Sequence, residues 1–319
     1  MNETESLILA TNALKSIARS EQAKQFIKND EELYPLLFRA AQRFIAGEHR
    51  EDAISDALTL LSKGYSVSLE CIGENIRDEQ QCIEEKDEFI ELIRLAGNNG
   101  LDATVSLDLS HIGMMIDEDL AYNHLVDLSR EAALHGMTLM IGAEESAKTD
   151  QIHALYKRIS ESYPNVGITL QAYLNRTERD LEQIKQYPGR IRLVKGAYQE
   201  PSEIALPRSE QLRAKYVQLA ERLMATDLPV SFATHDEDLI EAIRHCGYLD
   251  RPNVELEMLY GVRPDLLKKM KCEGYRAKAY ITYGKEWHLY FFHRLAEYPP
   301  NMFRAIADIV TPSIKVETY

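Results

Sequence analysis

The feature that most constrains the fold is an alternation that starts at Gly64, in which short apolar runs are each followed by a longer amphipathic segment. The runs of strand length lie at 66–72, 103–109, 138–143, 167–173, 191–194, 230–233, 254–259 and 276–281. Repeated strand–helix alternation indicates parallel strands joined by crossover helices, and eight such units are enough to close a barrel. The sequence therefore predicts an α/β fold, a (βα)8 barrel of the TIM type.

The segments on either side of this alternation have a different character. Residues 1–63 show apolar positions at helical spacing and no strand-like alternation, so we predict an N-terminal helical segment. The barrel is assigned to 64–312. The tail at 313–319 has no evident partner in the pattern and is expected to be disordered.

Composition narrows the class of protein. The net charge is −14 and the pI is about 5.2, which argues against nucleic acid and anionic membrane surfaces as partners. No apolar run approaches the roughly 20 residues of a membrane span. The start is acidic, unlike a secretory signal, and the four cysteines lack zinc or redox spacing. We expect a cytoplasmic protein with reduced thiols, and transient docking to a membrane through the helical segment stays open.

Polar residues gather just after the apolar runs, where a parallel barrel carries its chemistry. They include Asp108, Glu144, Lys195 and Asp236, the last within Thr234-His235-Asp236. Purely structural roles are the alternatives. Lys195 could extend its amine to solvent along an apolar surface, and Glu144 or Asp236 could cap the next helix. Histidine spacing predicts no metal site, and no dinucleotide fingerprint or phosphate loop is present.

The last amphipathic segment carries one polar stripe on a mostly apolar helix. Tyr290, His293, Arg294 and Glu297 share a face, while Trp287 and its apolar neighbours cover the other sides. Such a helix borders a polar cavity, and an Arg held by a Glu is suited to clamp a carboxylate. The alternative is an ordinary solvated face with an ion pair.

Together these motifs resemble the proline dehydrogenase family. The resemblance covers about residues 66 to 304 and rests on the segments 72–74, 192–198, 234–236, 257–261 and 283–284, with Trp287, Tyr290, Arg294 and Glu297. It implies a distorted (βα)8 barrel that carries FAD and oxidises L-proline to pyrroline-5-carboxylate by hydride transfer to the flavin. It also implies a role in proline catabolism and electron transfer to a quinone or another acceptor.

The resemblance also implies roles for individual residues. The residues that would hold FAD are Gln171, Arg192, Lys195, Gly196, Ala197, Thr234 and His235. Those that would surround the substrate are Tyr198, Tyr280, Tyr290, His293, Asp108, Arg294 and Glu297. Arg294, steadied by Glu297, would bind the substrate carboxylate, and Arg192 and Tyr280 are predicted to act in catalysis.

Three positions depart from the family pattern. His293 replaces an Arg, Asp108 a Lys and Gly142 an Asp, which makes the substrate shell about two formal charges more negative. We therefore predict weak binding of proline and a pocket that is longer beside Gly142. The alternative is that the alignment with the family is shifted at the second and third strands, so that Asp108 and Gly142 do not correspond to those positions. Functional alternatives are a paralogue that oxidises another secondary or tertiary amine, and a catalytically silent flavin-binding barrel.

Overall fold

A computed structural model describes residues 3–18, 20–298, 300–310 and 318–319. Eight parallel strands form a closed barrel in which each strand pairs with the next and β8 pairs with β1. The strands are β1 (Ser66–Cys71), β2 (Ala103–Leu107), β3 (Thr138–Ile141), β4 (Val166–Gln171), β5 (Ile191–Val194), β6 (Val230–Ala233), β7 (Val254–Leu259) and β8 (Ala277–Tyr283). The predicted (βα)8 barrel is confirmed, because each of the eight predicted runs overlaps one strand.

The helices of the described residues flank and precede this barrel. They are α1 (Glu3–Ala18), α2 (Glu21–Asn29), α3 (Leu33–Ala41), α4 (Arg50–Ser62), α5 (Glu79–Asn98), α6 (Glu118–Leu134), α7 (Thr149–Ser160), α8 (Thr177–Ile184), α9 (Glu210–Met224), α10 (Glu237–His245), α11 (Pro264–Cys272), α12 (Trp287–Glu297) and α13 (Pro300–Val310). Several crossover helices begin at a side-chain cap, as where Asp117 accepts from the amide of Leu120.

The lumen of the barrel is polar, and its outer wall is apolar. Outward residues such as Val67 and Leu69 are fully buried beneath the helices, while every second position points inward. In the lower part of the lumen, Lys278 bonds to Glu255 at 2.7 Å and to Thr104 at 2.8 Å. A second layer, built around Arg192, lies nearer the carboxyl ends of the strands. The barrel is thus closed below by paired charges, which positions the chemistry at its mouth.

Two apolar clusters divide the helices. The larger lies between the strands and their surrounding helices and includes Ala57 and Leu60 of α4, so α4 packs on the barrel. The smaller joins α1, α2 and α3 to α12 around Trp287 and Phe291. The N-terminal helices therefore cover the last barrel helix, although the domain boundary at residue 63 stays a prediction.

The end of the chain is only partly described. Of the predicted tail, residues 313–317 lie outside the described residues. Tyr319 is buried, stacks on Tyr260 with ring centroids 5.5 Å apart, and accepts a hydrogen bond from the amide of Gly261 at 2.8 Å. Among the described helices, none combines the length and apolar character that a membrane span requires.

Candidate active site

A cavity of about 170 Å3 opens at the carboxyl ends of β1, β2 and β5, beneath α12. Its lining residues are Lys15, Glu70, Ile72, Gly73, Glu74, Asp108, Ala197, Tyr198, Gln199, Leu289, Tyr290, His293, Arg294 and Glu297. They come from the N-terminal helix, three strand ends and α12. The predicted polar stripe of α12 does face a cavity, as the sequence pattern indicated.

Arg192 forms the floor beneath this cavity. Its Nε and Nη2 each lie 2.9 Å from a carboxylate oxygen of Glu257, and Nη2 also donates to Ser106 at 2.8 Å. The guanidinium lies 4.8 Å from the centre of the Tyr280 ring. Burial disfavours the charge, but Glu257 and Tyr280 outweigh it, so the pKa of Arg192 is raised. Arg192 is therefore a fixed positive charge whose side edge is occupied by Glu257.

Arg294 presents a different edge. Its Nη1 and Nη2 each lie 2.9 Å from Glu297, and its guanidinium lies 4.8 Å from the centre of the Tyr290 ring. Within the described part of the chain, its buried Nε has no hydrogen-bond partner. Because Glu297 holds the two terminal nitrogens, the edge formed by Nε and Nη2 is left to bind a second carboxylate. The binding of a substrate carboxylate by Arg294 stays a prediction.

The ends of β5 and β6 carry a second polar group. Lys195 and Arg213 bind the same carboxylate oxygen of Asp236, at 2.9 and 3.0 Å, and Asp236 also caps α10. These ion pairs outweigh burial and lower the pKa of Asp236 to about 2. Asp236 thus has both the local capping role and a role in holding Lys195.

His235 is held as a neutral donor. Its Nε2 accepts from the amide of Leu259 at 2.8 Å, so the proton of the neutral ring lies on Nδ1. Burial, followed by the charge of Arg294, lowers its pKa to about 3. His235 therefore offers an N–H at every pH near neutrality.

Asp108 and Gly142 fit together, and this corrects the expectation of a longer pocket. A Cβ on residue 142 would overlap the Asp108 carboxylate, so Asp108 fills the space that Gly142 leaves. Burial, then the charges of Glu144 and Glu70, raise the pKa of Asp108 well above its usual value. Because burial and the neighbouring carboxyl groups disfavour the charge on Asp108, the repulsion of a substrate carboxylate expected from the sequence is reduced.

The predicted cofactor residues lie mostly outside the cavity. Ala197 lines it, as does Tyr198 from the substrate set, while Gln171, Lys195, Thr234 and His235 do not. Gln171 is buried and donates to the carbonyl of Glu144 at 2.9 Å. Gly196 adopts a φ of 113°, and a Cβ there would overlap the ring of Tyr173. The β5 end therefore requires glycine for both its conformation and its packing.

Three carboxyl and amine groups of the cavity were missed by the sequence analysis as site residues: Glu70, Glu74 and Lys15. Glu70 had a signal, because Ser68 and Glu70 are inward positions of a strand with period two. Burial raises its pKa, against the hydrogen bond from Tyr280. Lys15 had no signal, since it lies on a helix outside the barrel.

The raised pKa of Asp108 predicts a stability effect with a definite sign. Above pH 4 the unfolded chain loses this proton while the fold keeps it, so stability falls as pH rises toward the folded pKa. Asp108→Asn cannot titrate. We expect the melting temperature of Asp108→Asn, relative to that of wild type, to rise as the pH is raised from 4.5 to 7 in thermal denaturation. Exposed Asp102→Asn is the control, and equal pH profiles for all three proteins would contradict the assignment.

Comparisons with known proteins agree with one another. The sequence model described as Proline dehydrogenase matches residues 53–298. Proline dehydrogenase of Deinococcus radiodurans is 31% identical over 301 residues, which cover 92% of this chain and 95% of that protein. Proline dehydrogenase 1 of Bacillus subtilis subsp. natto is 30% identical over 264 residues, which cover 82% of this chain and 87% of that protein.

A solved structure supports the fold. Proline utilization A (PutA) from Bdellovibrio bacteriovorus, inactivated by N-propargylglycine, superposes with a TM-score of 0.76 at 16% identity. The match covers 99% of this chain and 44% of that chain. The family match and the two sequence relatives together show that the chain belongs to the proline dehydrogenase family and is a flavin-dependent oxidoreductase that acts on a CH–NH donor.

Proposed function

We propose that this protein oxidises L-proline to pyrroline-5-carboxylate with FAD as cofactor and passes the electrons to a quinone or another acceptor. Relatives named proline dehydrogenase at about the 30% level over most of the chain support this substrate. The observation that carries the proposal is Arg294, which lines the cavity and whose Nε has no hydrogen-bond partner among the described residues.

The residues at the β5 and β6 ends fit a dinucleotide. Lys195 and Arg213 meet at Asp236, and Arg208 donates to the carbonyl of Gly196 at 3.1 Å. Three cations around one loop of an acidic protein suit a pyrophosphate, and Gly196, whose positive φ favours glycine, carries no side chain. When bound, FAD would accept the hydride that leaves the carbon next to the substrate nitrogen.

The chain's own residues would orient the substrate between two walls. Arg294 would hold the carboxylate, and the rings of Tyr198 and Tyr290 would border the pyrrolidine ring. Glu70 and Asp108 also line the cavity, and a carboxyl oxygen of either could accept a hydrogen bond from the substrate amine. Arg192 and its partner Tyr280 would set a positive potential at the floor.

The test is an anaerobic titration of the purified holoenzyme with L-proline. We expect a yellow protein with one noncovalent FAD per chain, identified after heat release by its mass, and bleaching of the flavin band by proline. Formation of pyrroline-5-carboxylate is then measured by trapping with an aminobenzaldehyde. A flavin that is reduced only by other amines would favour the paralogue, and a flavin that none reduces would favour the silent barrel.

Lys195 provides a separate prediction about the cofactor. Lys195→Ala removes a charge-assisted contact to a phosphate, so we expect about tenfold weaker retention of FAD. Asp236 keeps Arg213 as a partner, which limits the damage to the fold. The measurement is the ratio of flavin to protein absorbance after gel filtration, with the exposed Lys268→Ala as control. Equal retention in both variants would contradict a phosphate-binding role.

A further inference from the structure

The charges that line the cavity are not evenly matched. Among the described residues, its permanent cations are Lys15 and Arg294, and Arg294 is already tied to Glu297. Within the same part of the chain, Lys15 has no hydrogen-bond or ion-pair partner. Of the four carboxyl residues that share the cavity, Glu297 is tied to Arg294, and burial disfavours the charge on Glu70 and Asp108 by raising their pKa. A bound carboxylate would therefore add a direct partner for the Lys15 amine.

Apolar packing holds Lys15 in this position. It lies in the last turn of α1, which packs along α12. Its neighbours Leu14 and Ala18 join the cluster of Trp287 and Phe292, so the backbone at Lys15 is anchored on the helix that carries Arg294. The side chain is therefore delivered to the cavity by contacts that do not depend on its own charge.

We propose that Lys15 is a second cation for the substrate carboxylate, acting beside Arg294 and determining specificity for an acidic group on the substrate. The proposal rests on the proposed function, because it assumes a substrate with a carboxylate. Lys15 adds one positive charge to a substrate shell whose charge was counted only from the strands and α12. Asp108 and His293 stand at two positions where the family carries cations. Lys15, from a helix outside the barrel, restores one of these positive charges.

Lys15 suits this role chemically. A Lys ammonium is a compact point charge on a flexible stem, so it can follow a carboxylate whose orientation Arg294 fixes. Because Lys15 is half-buried, its contribution is smaller than that of a fully buried charged contact. We expect about a tenfold effect on binding, at the low end for hydrogen bonds to charged groups.

The experiment compares Lys15→Met, Lys15→Arg and Lys268→Met with wild type, all as FAD-loaded proteins. Lys268 is exposed on α11 and serves as the charge-removal control. We expect Lys15→Met to raise KM for proline about tenfold with less than a twofold change in kcat, and Lys15→Arg to keep most of the affinity. Lys268→Met should match wild type.

A second measurement separates this proposal from the proposed function. Cyclopentanecarboxylate has the carboxylate of proline but no amine, and its binding is followed by calorimetry without any turnover. We expect Lys15→Met to weaken it by the same factor as proline. Unchanged binding of this ligand, or a KM effect equal to that of Lys268→Met, would overturn the role of Lys15. Wild-type flavin that proline does not reduce would instead overturn the proposed function, while calorimetry still decides on Lys15.

Discussion

Arg294→Lys is expected to lower kcat/KM for proline by about two orders of magnitude. Glu297 occupies Nη1 and Nη2, and only a guanidinium has a further edge, through Nε, for a second carboxylate. A Lys ammonium bound to Glu297 would leave the substrate carboxylate with a single, poorly directed contact. Steady-state kinetics with proline measures the loss, and Glu297→Ala should act in the same direction with a smaller effect.

The control for Arg294 is an Arg in a similar local setting. Arg94 also pairs with a Glu three residues away, and its side chain is 50% exposed on α5. Arg94→Lys should keep wild-type efficiency, because an exposed pair contributes little and does not meet the substrate. If Arg294→Lys behaved like Arg94→Lys, the polar face of α12 would not form the carboxylate site.

Arg192→Met is expected to have the largest effect on stability. The side chains of Arg192 and Glu257 are 5% and 2% exposed, so removing the guanidinium leaves a buried carboxylate without its counter-charge. We expect a loss of about 3–5 kcal/mol in the free energy of unfolding, measured by denaturant titration. Flavin reduction by proline should also be lost, since the floor of the site no longer carries a positive charge.

A second variant separates the two roles of Arg192. In Arg192→Met/Glu257→Gln the uncompensated charge is removed, while the amide can still bond to Ser68, which donates to Glu257 at 2.7 Å in the wild type. We expect this double variant to recover at least about 1 kcal/mol of the lost stability without recovering flavin reduction. Recovery of both would mean that Arg192 acts only through the fold, and recovery of neither would contradict the ion pair as the source of stability.

The barrel and the polar face of α12 were predictable because both are local patterns. An apolar run of strand length or a stripe at positions 290, 293, 294 and 297 is set by residues a few positions apart. The inward alternation of Ser68 with Glu70 was equally visible, but it was read as part of an apolar run. Its partners could not be inferred, because the register between strands is not encoded within either strand.

Contacts between distant positions required the folded chain. The carboxylate of Asp108 fills the space beside Gly142, so two departures that appeared to enlarge and charge the pocket compensate each other sterically. Arg192 meets Glu257 across 65 positions, so one edge of the guanidinium that the resemblance assigns to FAD binding and catalysis is taken by an ion pair. Lys15 reaches the cavity only because α1 packs along α12. Periodicity places a residue on a face of its own helix or strand, whereas the partner of that face is decided by how the apolar surfaces of all the elements are buried together.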